Sequence, residues 1–332
     1  SHRKESFMIQ SMNLPLADEF AEPFGGWDGL RNELHARGID GVEGIWTGMN
    51  EPPDNFPRDL LTGYHLTFFP DWVDFYRGRT DVVRAKFGDD ETISMMYWGS
   101  TPEDMIEAYR ADLRRALDLG ADYVVFHVSD VSIEEGWTYR WQHTDEEVLD
   151  ASAEVINIIL EGLPERFEFL VENQWWPGFT FTDPAKTDRL LNAIAWNRKG
   201  IMLDTGHLMN ANTALRSEAD GVRWILDRIE AHGETAKMIR GMHFHQGISG
   251  EYVRTHIGEV PKEIAESSYT DSFGPNYRHI QQIDRHLPWT DPGCARIVDR
   301  VRPAYLTHEL AAWGREYLDA LDTQLKTLNS GL

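Results

Sequence analysis

Short apolar runs with no polar alternation, separated by longer amphipathic stretches, constrain this chain more than any other feature. GVEGIW at residues 41–46, YHLTFF at 64–69, DYVVFHV at 122–128, FEFLVE at 167–172, GIMLD at 200–204 and MIRGMHF at 238–244 read as strands buried on both faces. A first run at 7–12 and a last at 301–309 bring the number to eight. Helical patterns fill the gaps at 27–37, 102–119, 145–163, 184–197, 217–232 and 311–328. The clearest is 102–119, with Thr101 placed to cap it, Pro102 at its first position and Glu103 and Asp104 in its first turn. Strand and helix alternating eight times predict an α/β fold, a (β/α)8 TIM barrel. The 332 residues, 41% of them hydrophobic, suffice for it as one domain over 1–332.

Six of these runs end in side chains that can bind a metal ion: His65, His127, Glu172, Asp204 with His207 just beyond it, His243 and Glu309. Asp284 and His286 add two more between the last pair. Imidazole and carboxylate are the ligands that Zn²⁺, Mn²⁺ or Fe²⁺ prefer, and nine such groups exceed the need of one ion. Strand C-termini meet at the catalytic rim of such a barrel, so the expectation is a multinuclear metal enzyme. Taken singly, His65 or His127 could equally be hydrogen-bonded structure, and each acid could sit in a salt bridge. Glu172, Asp204 and Glu309 weigh more together, because a carboxylate closing a buried apolar run is costly unless a cation or proton compensates it. The Thr-Gly turn in DTGH lets Asp204 and His207 face one cavity. In MHFH, His243 and His245 point to the same side at different depths. One of them is expected to be a ligand, with His245 left as a supporting group, a substrate contact or packing.

The balance of charges narrows the partners. Lys+Arg number 32 against 55 Asp+Glu, a formal net charge of −23, and such a field repels polyanions. Nucleic acid is therefore a disfavoured partner, and a small molecule the expected substrate. The single cysteine, Cys294, excludes an intramolecular disulfide and a thiolate metal cage. No stretch reaches the length of a membrane span, and the polar start at residues 1–6 holds no signal-peptide core, so a cytoplasmic location is expected. Nothing in the composition sets the oligomeric state.

One stretch breaks the rhythm. Residues 246–292 are rich in Gly, Ser, Tyr, His and Pro, with a short helical piece expected only around 261–267. Starting at the end of the seventh strand, this insertion is expected over the catalytic face as a lid. Trp175 and Trp176 directly follow Glu172, and Trp137, Trp141 and Trp289 fall in other loops expected at that rim. They offer stacking surfaces for a planar or bulky ligand.

FHVSD around His127, VENQ around Glu172, LDTGH at 203–207, RGMHFH around His243 and IDRH at 283–286 together resemble the endonuclease IV branch (AP endonuclease family 2) of the xylose-isomerase-like TIM barrels. The likeness runs from the third strand onward, with every ligand-bearing segment in the family's order. It implies up to three ions, usually Zn²⁺, with Mn²⁺ or Fe²⁺ as alternatives. One would take His65, His127 and Glu172, a second Glu172, Asp204, His243 and Glu309, and a third His207, Asp284 and His286. In that branch a hydroxide bridging two ions attacks phosphorus in a phosphodiester. Glu172, Glu309 and His207 are the residues expected to take part in the chemistry.

The chain also departs from the DNA-repair members. Some forty residues separate His243 from Asp284, and the continuation is LPWTD. The expected substrate is accordingly a small or nucleotide-like phosphoester, with the nucleotide loop of a cobamide as the narrower choice. Trp175, Trp176, His245 and Arg285 are the expected substrate contacts. The competing expectation is a sugar or polyol isomerase or epimerase, which would need one ion on Glu172, Asp204, His243 and Glu309. A binding protein that keeps barrel and metal without catalysis is the third.

Overall fold

The structure, a computed structural model, describes residues 7–331; the polar start weighed above lies outside them. The apolar runs form β1 (Ile9–Pro15), β2 (Gly41–Ile45), β3 (Leu61–His65), β4 (Tyr123–His127), β5 (Glu168–Glu172), β6 (Lys199–Asp204), β7 (Ile239–Phe244) and β8 (Tyr305–His308). They pair in parallel in chain order, and β8 closes the barrel against β1.

Both faces of these strands are covered, by different partners. Val124, Phe126, Phe169, Val171, Ile201, Leu203 and Met242 face outward into the main core under the helices. Their neighbours Tyr123, Val125, Leu170, Met202 and Tyr305 form a separate apolar plug inside the barrel. His127, Glu172 and Asp204 each follow a plug residue by two positions, so strand alternation turns them inward one layer higher. The register completes that layer: His127 pairs with Glu172 across β4 and β5, and Asp204 with His243 across β6 and β7.

Local signals set the helices. Pro102–Leu119 begins at a reciprocal cap between Thr101 and Asp104 and ends at Gly120, whose φ of 74° is left-handed. Thr144 and Ser217 cap Asp145–Leu160 and Glu218–Ala231. Among the described residues no helix is long and apolar enough to cross a membrane.

Three expectations are corrected. β3 begins at Leu61 and stops at His65, which turns residues 66–69 into a loop. β8 begins at Tyr305, because residues 295–301 form the helix Ala295–Val301, stopped by Arg302 at φ 50° before Pro303. Residues 246–292 are largely helical: Gly250–His256, Lys262–Ala265 and Tyr269–Ile283 lie within them. Gly274 and Pro275 hid the last of these from propensity, but Ser268 caps its start and its inner face packs on the barrel.

This segment packs over the loop that follows β5. Val253 and Ile283 pack on Trp175, with Trp176, Tyr252 and Ile280 around them. His279 fastens the roof. Its ring stacks on Trp137 at 3.5 Å, Nε2 donates to the Gly136 carbonyl at 2.8 Å, and Nδ1 accepts from the Tyr252 hydroxyl at 2.8 Å. Burial lowers its pKa and keeps the ring neutral for both bonds.

Candidate metal centre

Three groups of side chains each bring ligand atoms within 4.8 Å of one another. His65, His127 and Glu172 form the first; Glu172, Asp204, His243 and Glu309 the second; His207, His245, Asp284 and His286 the third. Glu172 belongs to two, with Oε2 nearest His127 of the first and Oε1 nearest His243 of the second. Oε2 lies 2.8 Å from His127 Nε2 and accepts from Gln174 Nε2 at 2.9 Å. Oε1 abuts His243 Nδ1 and lies 3.8 Å from His65 Nε2.

The histidines are held in defined tautomers. Nδ1 donates to a backbone carbonyl in His65 (Leu66, 2.8 Å), His207 (Asn173, 2.9 Å) and His286 (Glu309, 3.0 Å). A carbonyl can only accept, so in each of these rings Nε2 keeps its lone pair toward the centre. These Nε2 atoms converge as expected of ligands: His65 lies 3.1 Å from His127 Nε2, while His207 and His286 lie 3.2 and 2.8 Å from Asp284 Oδ2. His243 is reversed. Its Nε2 donates to Glu43 Oε1 at 2.7 Å, which leaves Nδ1 to face Glu172 and Glu309.

Buried atoms in this region lack partners. Glu172 Oε1, Asp204 Oδ2, His243 Nδ1 and both ring nitrogens of His245 are buried without a hydrogen bond among the described residues. His245 Nε2 comes within 2.7 Å of Asp204 Oδ1, and the ring stacks on His286 at 4.0 Å. Burial favours a neutral Glu172, yet His127 and His243 hold its carboxyl well below the usual range. Burial likewise opposes charge on His207 and His243. Asp204 and Asp284 nevertheless raise the first well above an ordinary imidazole, as Glu309, Glu43 and Glu172 do the second. The centre demands positive charge, and divalent ions taken up through the same lone pairs would meet that demand in place of protons. The residues present therefore fit such ions.

A family model described as xylose isomerase-like TIM barrel, AP endonuclease 2, matches residues 87–301. The chain belongs to the xylose isomerase-like TIM barrel family. Among solved structures it is similar to endonuclease IV from Thermus thermophilus, at 15% identity and a TM-score of 0.52, over 97% of this chain and 99% of that one. A structure described as AsfvAP:AG matches at 10% identity and a TM-score of 0.53, over 97% and 98%. The 3-keto-D-glucoside 4-epimerase YcjR from E. coli follows at 11%, 0.47, 97% and 100%. At these identities the likeness is one of fold. No curated protein matches the sequence.

On this xylose isomerase-like barrel a cavity of about 460 Å³ opens over the candidate ligands, with His65, His127, His207, Asp284, His286 and Glu309 on its walls. Glu309 and Asp284 each leave 14% of the side chain accessible there, whereas Glu172 and Asp204 are sealed beneath. Trp175 and Trp176 line it as expected. The other three tryptophans expected at the rim do not. Trp289 is fully buried against Phe244, Trp137 lies under the roof helix, and Trp141 is outside the lining. Arg285 is exposed and borders an adjoining depression of about 390 Å³.

Sequence reasoning missed Glu43 and the aromatic mouth. Glu43 is a carboxylate inside the apolar run GVEGI, so the desolvation argument applied to Glu172 would have found it. Phe68, stacked on His127 at 4.2 Å, with Phe273, Tyr277 and Trp313, completes the lining. No periodicity marks these four, because they come from three separate loops and helices.

Proposed function

We propose that this protein is a metal-dependent hydrolase of a phosphoester or phosphodiester in a small or nucleotide-like molecule. The observation that carries the reading is the sharing of Glu172 between two of three adjoining ligand groups, since one mononuclear site would have no use for the other six side chains. Divalent ions bound there would supply a nucleophile from water at neutral pH and offset charge developing on a phosphoryl group.

The chain's own residues do the positioning. Glu172 holds the first two groups in fixed relation through its two oxygens. His207, oriented by the Asn173 carbonyl, keeps Asp284 in the third. Glu309 is the carboxylate of the second group that reaches the cavity, and so the one placed to accept or return a proton at the substrate. A buried, unreactive Cys294, its thiol pushed up to about 12 by burial, suits a cytoplasmic setting.

A second reading has its own support, because Glu172, Asp204, His243 and Glu309 close a four-ligand site by themselves, as a sugar or polyol isomerase or epimerase needs. Elemental analysis of purified protein, paired with a phosphodiester and ketose panel on the same sample, separates the two. Two to three ions with phosphodiester cleavage is expected, and a corrinoid nucleotide loop belongs in the panel. One ion with ketose turnover would overturn the hydrolase reading.

A further inference from the structure

Among the described residues, no lysine or arginine lines the 460 Å³ cavity; beyond the ligands its walls are mainly aromatic and apolar. Phe68, Phe273, Tyr277 and Trp313 are among its lining residues, and each leaves between 43% and 64% of its surface exposed. Exposing four large rings around one opening is unfavourable unless a ligand covers them. A polyanion bound there would find no cationic side chain to replace its counterions.

The second depression begins where the first ends. The two share Tyr277, Asp284, His286 and Trp313 among their lining residues, so they adjoin beside the third ligand group. Arg285 borders only the far side, and it makes no ion pair or side-chain hydrogen bond among the described residues. What distinguishes Arg285 is its place in the sequence between Asp284 and His286, beside the candidate centre, where its planar guanidinium can meet an anion.

We infer that the substrate is a two-part molecule: an uncharged ring system held among Phe68, Trp176, Phe273 and Trp313, and a single anionic end met by Arg285. The reacting group then lies between them, over Asp284 and His286. This rests on the hydrolase reading only for which bond is cut; ring and anion recognition depend on the protein walls alone. Stacking on the exposed rings supplies affinity, and Arg285 supplies orientation.

Binding to the metal-replete protein tests it, read by tryptophan fluorescence and calorimetry and not by turnover. The probes are 2-naphthol, 2-naphthoate, dimethyl phosphate and a DNA tetranucleotide. Both naphthalenes should bind at least about ten-fold more tightly than dimethyl phosphate or the tetranucleotide. Phe273→Ala with Trp313→Ala should weaken 2-naphthol about ten-fold with metal content unchanged. Arg285→Gln should weaken 2-naphthoate and leave 2-naphthol alone. The inference is overturned if the ringless or polyanionic probes bind as well as the naphthalenes, if the double variant binds 2-naphthol normally, or if Arg285→Gln does not discriminate. Ring binding without any phosphoester cleavage would leave the inference standing and remove the hydrolase reading; cleavage without ring preference would do the reverse.

Discussion

Glu43 Oε1 lies 2.7 Å from His243 Nε2, and this bond decides which nitrogen of His243 faces the centre. The carboxylate is itself fixed, since Oε2 accepts from the Tyr123 hydroxyl at 2.7 Å and the Thr307 hydroxyl at 2.8 Å. Glu43→Gln replaces one acceptor oxygen by a donor and weakens the hold on the ring. Metal affinity should fall by roughly 10- to 100-fold with the fold retained, as for carboxylates behind ligating histidines. Chelator competition measures it; wild-type affinity in the variant would count against the role.

Asp284 and His286 anchor the third group from a loop, not a strand, so their loss should spare the barrel. Asp284→Ala with His286→Ala is expected to remove one ion per chain while the circular dichroism spectrum is unchanged. Unchanged metal stoichiometry would remove these residues from the ligand set.

Glu172 serves two groups at once, so its replacement should disturb both. Glu172→Gln is expected to reduce bound metal by more than the Asp284 and His286 pair does, and to abolish turnover. Near-normal activity would exclude the bridging arrangement.

Gly63 on β3 has no room for a side chain, because a Cβ there would fall inside the Tyr123 ring that supports Glu43. Gly63→Ala should cost about 1–3 kcal/mol by overpacking. Urea denaturation gives the stability, and chelator competition on the same variant should show weaker metal binding through the displaced Glu43. A stability equal to wild type would show that the ring yields without strain.

His143 sits apart from the centre, with Nε2 3.3 Å from Asp74 and 3.7 Å from Asp130, and Nδ1 3.1 Å from Glu147. The Asp74 bond above all, against burial and with help from Asp130 and Glu147, pushes its pKa up to about 9. The folded chain thus holds this proton more tightly than the unfolded chain, whose imidazole titrates near ~6.5. The contribution is complete below that value and is lost as pH rises through about 9. Melting temperatures from pH 6 to 9.5 should fall more steeply for wild type than for His143→Gln; parallel slopes would refute the linkage.

Strand and helix periodicity, together with caps such as Thr101, made the eight-fold alternation legible, and the carboxylates and histidines at or just beyond the ends of apolar runs, with Asp284 and His286, marked nine candidate ligands. Those signals are local, carried by residues near in sequence. Propensity misjudged the roof, because Gly274 and Pro275 argue against a helix that is stabilised by packing on Trp175 and by the His279 clamp, contacts more than a hundred residues away. It was silent on Glu43, whose partner His243 lies 200 residues on. Barrel closure brings β2 and β7 side chains to one layer and sets Glu172 between neighbouring groups. The sequence by itself determined which chemistry was present at the strand ends. Tertiary structure decided which of those groups share a lone-pair geometry, since convergence depends on distances that the chain's linear order does not encode.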